Sequence, residues 1–300
     1  MTQQTSASDL RYFISGTGFE APPLAPGLYV VATPIGNLRD ITIRALETLA
    51  AADLILCEDT RTSAKLFDHF GIKGPRQALH EHNERQRSEE IVRRIADGAA
   101  IALISDAGTP LLSDPGFPLV RALAEAELPV LAIPGPSALL SALAVAGLPT
   151  DSFSFHGFPP SKAGARANAL AAFRDSRETL VFYESPRRLP ATLATMAETF
   201  GETRQAAVAL ELTKRFERVA RGTLVDLVEK FAEGPVKGEA VILVAGADAP
   251  ALPDEADWQA DLEDALADQP LRSAVDEITA RYGLKRKEVY NAALLLKQKA

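Results

Sequence analysis

From residue 28 onward, short runs of apolar, often β-branched residues alternate with longer stretches in which apolar positions recur every three or four residues. The short runs fit strands and the longer ones amphipathic helices, because side chains repeat every two residues along a strand and every 3.6 along a helix. The pattern predicts a strand over 28–33, a helix over 42–51, a strand over 54–57, a helix after Thr60 and another over 88–97. It continues with a strand over 101–105, a helix near 118–126, a strand over 130–133 and an alanine-rich helix over 137–146. Strands that alternate with helices need crossover connections, so the predicted class is α/β with a mainly parallel sheet. Gly147 followed by Pro149 marks a boundary, since glycine ends helices and proline cannot continue them. A second α/β unit follows, with strands over 153–157, 179–183, 206–210 and 240–244 and helices over 163–173, 190–200 and 224–231.

The ends of the chain read differently. Residues 1–26 are expected to be a flexible tail, because Ala21-Pro22-Pro23-Leu24-Ala25-Pro26 can continue neither a helix nor a central strand. Residues 248–270 hold eight acidic and no basic side chains, punctuated by Pro250, Pro253 and Pro270, and read as an acidic linker around a short helix. Residues 271–300 reverse the charge. Two amphipathic helices joined at Gly283 carry Arg281, Lys285, Arg286, Lys287, Lys297 and Lys299, a pattern that fits a helix-turn-helix or a plain helical hairpin equally well. The expected organisation is therefore a tail, an α/β domain over 27–147, a second over 148–247, the linker and a basic helical domain.

Composition narrows the function classes. A single cysteine, Cys57, excludes an internal disulfide and the usual thiolate zinc site, so a reducing compartment is expected. The first twenty residues have no basic stretch followed by an apolar core, and no run of eighteen apolar residues occurs, which predicts a soluble, cytoplasmic protein with no membrane association. A net charge of -8 argues against indiscriminate coating of nucleic acid, so any RNA contact must come from local cationic patches.

Candidate chemistry concentrates in loops after predicted strands. The segment Ser105-Asp106-Ala107-Gly108-Thr109-Pro110-Leu111-Leu112-Ser113-Asp114-Pro115-Gly116 cannot form regular structure, and it leaves a parallel strand at its carboxyl end, where α/β folds bind ligands. Ala32-Thr33-Pro34-Ile35-Gly36-Asn37-Leu38 and Pro134-Gly135-Pro136-Ser137-Ala138 leave two other strands in the same way. No G-x-G-x-x-G follows a strand, and neither a G-x-x-x-x-G-K-[ST] loop nor a G-x-S-x-G elbow occurs, which disfavours dinucleotide enzymes, P-loop nucleotidases and serine hydrolases.

Together with Cys57-Glu58-Asp59-Thr60-Arg61-Thr62, His80-Glu81-His82-Asn83-Glu84, Phe182-Tyr183-Glu184-Ser185-Pro186-Arg187-Arg188, Glu211-Leu212-Thr213-Lys214 and Lys237-Gly238-Glu239, these loops resemble the RsmI-type branch of the tetrapyrrole methylases. The chain departs from that family's pattern at Ala146, Arg187 and Leu210. The resemblance implies two α/β domains with S-adenosylmethionine in the cleft between them, a homodimer, and methylation of the ribose 2′-hydroxyl of a decoding-centre cytidine in 16S rRNA of the small ribosomal subunit.

On that reading the cofactor loops supply Thr33, Pro34, Ser105, Asp106, Ala107, Gly108, Thr109, Ser137, Ala138 and Tyr183. Backbone groups of 106–109 and the helix start at Ser137-Ala138 would meet the methionine end. Candidates for deprotonating the acceptor hydroxyl are Glu58, Asp59, Glu184 and Glu211, with Lys214 as a charge partner or, if its pKa is depressed, as the base. Candidate RNA contacts are Arg61, Arg187, Arg188, Lys214, Arg286 and Lys287, beside Arg215, Arg218 and Arg221. His80, Glu81 and His82 form the nearest approach to a metal motif, but in-line methyl transfer requires no metal and none is expected. Two other functions are compatible with the sequence: methylation of a carbon of a corrin precursor, which would leave the basic helices unused, and RNA binding or assembly without turnover.

Overall fold

The computed structural model describes residues 10–80, 83–232, 238–248 and 255–299, which form two compact units, Met1–Ala247 and Asp248–Ala300. The first unit opens with β1 (Arg11–Ile14) and β2 (Thr17–Glu20), an antiparallel hairpin whose turn places Ser15 and Gly16 at φ of 50° and 83°. Two successive left-handed residues are what a two-residue hairpin turn requires. Tyr12 is buried and stacks on Phe19, and Phe13 packs on Gly71. The expected flexible tail is thus corrected over 10–26: its aromatic residues are cemented to the domain behind it.

The first sheet follows. Its elements are β3 (Gly27–Val31), α1 (Ile43–Ala51), β4 (Leu54–Cys57), α2 (Thr60–Phe70), β5 (Arg76–Ala78), α3 (Glu84–Ala96), β6 (Ala100–Ile104), α4 (Phe117–Glu125) and β7 (Val130–Ile133). All five strands are parallel, in the order β5-β4-β6-β3-β7. Alternate residues face opposite helical layers. Tyr29, Val31, Ile55, Cys57, Ala102 and Ile104 pack with Leu46 and Leu49 of α1 and Leu66, Phe67 and Phe70 of α2. Leu28, Leu54, Leu56, Ile101 and Leu103 pack with Ile91 and Ile95 of α3 and Leu119 and Leu123 of α4.

The next helix, α5 (Ala138–Ala146), leaves β7 but buries Leu139, Ala142, Leu143 and Ala146 against the second sheet. That sheet comprises β8 (Phe153–Phe155), α6 (Ala163–Ala171), β9 (Thr179–Glu184), α7 (Leu189–Phe200), β10 (Gln205–Leu210), β11 (Arg218–Thr223), α8 (Leu224–Ala232) and β12 (Ala240–Val244). Its order is β11-β10-β12-β9-β8, and only the β8/β9 pair is parallel. Val181, Ala207, Ala209 and Leu243 face α5. Leu180, Phe182, Val208 and Ile242 face α6, α7 and α8 through Leu170, Leu193, Met196, Leu227 and Phe231.

The second unit is helical throughout its described part: α9 (Glu255–Asp268), α10 (Leu271–Tyr282) and α11 (Arg286–Lys299). Trp258 and Leu262 of α9 are buried with Val275, Ile278, Val289 and Ala293, so the expected acidic linker is corrected to the first helix of a three-helix core. The acidic composition is that of the solvated face of an amphipathic helix. Gly283, at φ 64°, closes α10 and lets α11 turn back.

Candidate functional site

The three glycine- and proline-rich loops leave β3, β6 and β7, which are adjacent, and they hold one another by hydrogen bonds. Thr33 and Gly108 exchange backbone bonds of 2.8 and 2.9 Å, the Thr33 hydroxyl donates to Ser105 O at 3.4 Å, and the Thr109 hydroxyl donates to Pro136 O at 3.3 Å. The far end of the longest loop is pinned by Glu84, whose carboxylate accepts from Gly116 N–H at 2.9 Å. Gly108 stands at φ 82°, where an L side chain would be strained.

These loops face the strand ends and loops of the second sheet, and two neighbouring cavities lie along the junction. One, of about 370 Å³, is lined by Asp106, Ala107, Gly108, Thr109, Ala138 and Tyr183 among the expected cofactor residues, with Ile35, Asp114, Phe158, Gly238 and Val241. The other, of about 430 Å³, is lined by Thr33, Pro34, Gly36, Ser105 and Asp106 together with Thr62, Lys65, Lys214 and Glu239. Ile35, Asp106, Ala107 and Glu239 border both. The expected cofactor set therefore divides: Thr33, Pro34 and Ser105 line the second cavity. Ser137 lines neither, because its hydroxyl caps α5 by accepting from Leu140 N–H at 3.4 Å. Leu139 N–H bonds the Tyr183 phenol, so the amides of Leu139 and Leu140, which follow the expected contact at Ser137-Ala138, have partners within the chain.

The candidate bases sort sharply. Glu184 is corrected: its carboxylate is buried and accepts from Ser185 N–H, the Arg188 guanidinium at 2.7 and 2.9 Å, and the Thr192 hydroxyl at 2.6 Å. Arg188 is corrected with it, since the Nη2 that bonds Glu184 also donates to Pro159 O at 2.6 Å and fixes the guanidinium in place. The pair is a structural clamp. Lys214 is corrected as a base: burial pushes its pKa down, but the Glu211 hydrogen bond at 3.0 Å and the Glu239 carboxylate at 3.2 Å outweigh it and raise the value. It stays protonated and pairs with both carboxylates. Its aliphatic stem lies over Gly36, where a Cβ would come within 2.4 Å of it. Asp59 caps α2 and is held at a pKa of about 2 by the Arg61 side chain and backbone N–H, which also commits the exposed Arg61 guanidinium to it.

Sequence reasoning missed Asp114 as a site residue. Its carboxyl is raised to about 6 by partial burial and by the charges of Glu58 and Asp106, against the lowering effect of the Ser105 hydroxyl. Of the remaining cations, Arg187 is exposed, whereas Arg221 donates to Val145 O and Ala146 O at the end of α5. In the helical unit Lys287 is exposed and Arg286 pairs with Asp276 at 2.7 Å. Glu81, His82 and Lys237 lie outside the described residues. Among the described residues no cluster of three His, Cys, Asp or Glu side chains is placed to hold a metal, and no helix is long and apolar enough to cross a membrane.

Residues 27–228 match the profile of the Tetrapyrrole (Corrin/Porphyrin) Methylases, the class that the two sheets and the cleft between them define. A solved uroporphyrin-III C-methyltransferase from Thermus thermophilus, complexed with S-adenyl homocysteine, shares the fold at 19% identity and a TM-score of 0.51, over 73% of this chain and 97% of that one. "Ribosomal RNA small subunit methyltransferase I" of Mesorhizobium japonicum is 46% identical over 289 residues, 95% of this chain and 97% of the relative. The protein of the same name from Haemophilus influenzae is 45% identical over 271 residues, 89% and 96% of the two chains. Residues 253–297 match the RsmI C-terminal HTH domain, in line with one of the two readings of the basic helices. The chain belongs to the tetrapyrrole methylases, in the ribosomal RNA small subunit methyltransferase I family.

Proposed function

We propose that the protein transfers a methyl group from S-adenosylmethionine to the ribose 2′-hydroxyl of a decoding-centre cytidine in 16S rRNA, working as a cytoplasmic homodimer on the small ribosomal subunit. The observation that carries this reading is the pair of adjoining cavities that share Asp106 and Ala107, in a chain whose relatives are named for small-subunit ribosomal RNA. Two sites meeting at a shared wall suit a reaction that brings two reactants into line.

The 370 Å³ cavity fits the cofactor. It offers the close backbone approach of Gly108, the apolar walls of Ile35, Phe158 and Val241 for a nucleoside, and the carboxyl of Asp106 for a cationic amino-acid portion. When bound, S-adenosylmethionine supplies an electrophilic methyl group and a neutral leaving group. The residues of this chain align the acceptor and take its proton. Asp114 is suited to the second task, because a carboxyl titrating near 6 is ionised at neutral pH yet more basic than an exposed one. Lys214 is neutralised by Glu211 and Glu239 over Gly36, whereas Lys65 on the wall of the same neighbouring cavity places a positive charge there that favours an anionic substrate such as a phosphodiester. The exposed Lys287 and Arg187 offer further cations for RNA.

The reading is tested by offering labelled S-adenosylmethionine with unmodified small subunits and, separately, with a corrin precursor. Transfer to the subunits alone is expected. Transfer to the tetrapyrrole alone would replace the reading with carbon methylation, and cofactor binding without any transfer would favour a non-catalytic RNA-binding role.

A further inference from the structure

The turn between β10 and β11 leaves Phe216 with 72% of its surface exposed, the most of any large hydrophobic side chain among the described residues. The turn is nonetheless fixed. Glu211 and Thr213 adopt left-handed backbone at φ 51° and 65°, Thr213 N–H donates to the Glu217 carboxylate at 2.6 Å, and Glu217 N–H donates to Lys214 O at 3.1 Å. At its middle Lys214 is bonded to Glu211 and Glu239 and lines the 430 Å³ cavity. The Arg215 guanidinium lies 5.5 Å from the centre of the Phe216 ring. A flat apolar ring held in water on a rigid turn, with a cation beside it and, two residues earlier in the turn, a lysine that lines a substrate-sized cavity, has the chemistry of a base-stacking platform: the ring meets a base, and the cation meets its phosphate.

We propose that Phe216 stacks on a nucleobase of the RNA substrate beside the nucleotide whose ribose enters the cleft, with Arg215 facing the adjoining phosphate. The proposal rests on the RNA-methyltransferase reading above. Stacking contributes equally before and during methyl transfer, so it acts on substrate affinity and not on the chemical step.

The test compares wild type with Phe216→Ala and Phe216→Trp in methyl transfer to unmodified small subunits, with S-adenosylmethionine affinity measured by calorimetry. Phe216→Ala is expected to raise KM for subunits by about tenfold or more, given the usual strength of base-aromatic stacking, with kcat and cofactor affinity unchanged. Phe216→Trp is expected to keep the wild-type KM. Its added emission, after subtraction of the wild-type signal from Trp258, is expected to be quenched by protein-free 16S rRNA. A wild-type KM in Phe216→Ala, a loss of cofactor affinity, or emission quenched by intact subunits but not by protein-free RNA would each overturn the proposal, the last in favour of a protein contact. A wild-type enzyme that methylates no subunits would instead overturn the RNA reading and this proposal with it.

Discussion

Asp114 is the side chain on which the proposed chemistry turns, because partial burial and two neighbouring carboxylates hold it near 6. Replacing it with Asn keeps the shape and an acceptor for Ser105 but removes the base. Asp114→Asn is expected to lower kcat by about 10²- to 10⁴-fold and to abolish the limb of the pH-rate profile that rises through about pH 6. Stability should change in the opposite sense. Between the ordinary value of 3.8 and about 6 the folded state binds more protons at this site than the unfolded one, so wild-type stability falls as pH rises through that window. The variant should therefore have a higher Tm than wild type above about pH 6, with the difference vanishing below about pH 4. A constant difference across pH would contradict the assignment. Within the sequence Asp114 was one acid in a turn-rich segment. What sets it apart is burial beside Glu58 and Asp106, residues 56 and 8 positions away, and no local pattern encodes that. The same limit explains Glu184, whose motif looked catalytic and whose carboxylate is saturated by Arg188 and Thr192.

Secondary-structure elements were legible where burial is two-sided. β4 and β12, buried along their whole length, match their expected spans; β7 does so too, although it is an edge strand with three exposed residues, because its sequence is still a continuous apolar run. The strands that went unseen, β1, β2, β5 and β11, are edge or hairpin strands with exposed polar faces, such as Arg218-Val219-Ala220-Arg221-Gly222-Thr223. Missing β11 also hid the antiparallel character of the second sheet, because β10 returns directly through the 211–217 turn without a helix. Arg221 on β11 shows what that edge does: it donates to the last carbonyls of α5, the helix that belongs in sequence to the first sheet and in packing to the second. Charged hydrogen bonds to carbonyls at a helix end are worth about 1–3 kcal/mol. Arg221→Ala is expected to lower the unfolding free energy of the first unit by an amount in that range, read as a lowered midpoint, while leaving Asp114 and its pH profile intact. An unchanged midpoint would show that α5 is held by its apolar face alone.

At the scale of the whole molecule, three loop motifs far apart in sequence converge because β3, β6 and β7 are neighbours in one parallel sheet, and α5 carries the chain from that sheet to the other wall of the cleft. The family was readable from motif order, whereas the three-helix unit was half concealed, since α9 buries only a narrow stripe under an acidic surface. The central claim concerns the atom methylated. Its most direct test is alkaline hydrolysis of 16S rRNA labelled by the enzyme within small subunits, followed by separation of the products. A ribose without a free 2′-hydroxyl cannot assist cleavage of its own phosphodiester, so the account predicts label confined to a single alkali-resistant dinucleotide that begins with cytidine. Label released in alkali-labile mononucleotides would place the methyl group on a base and contradict it.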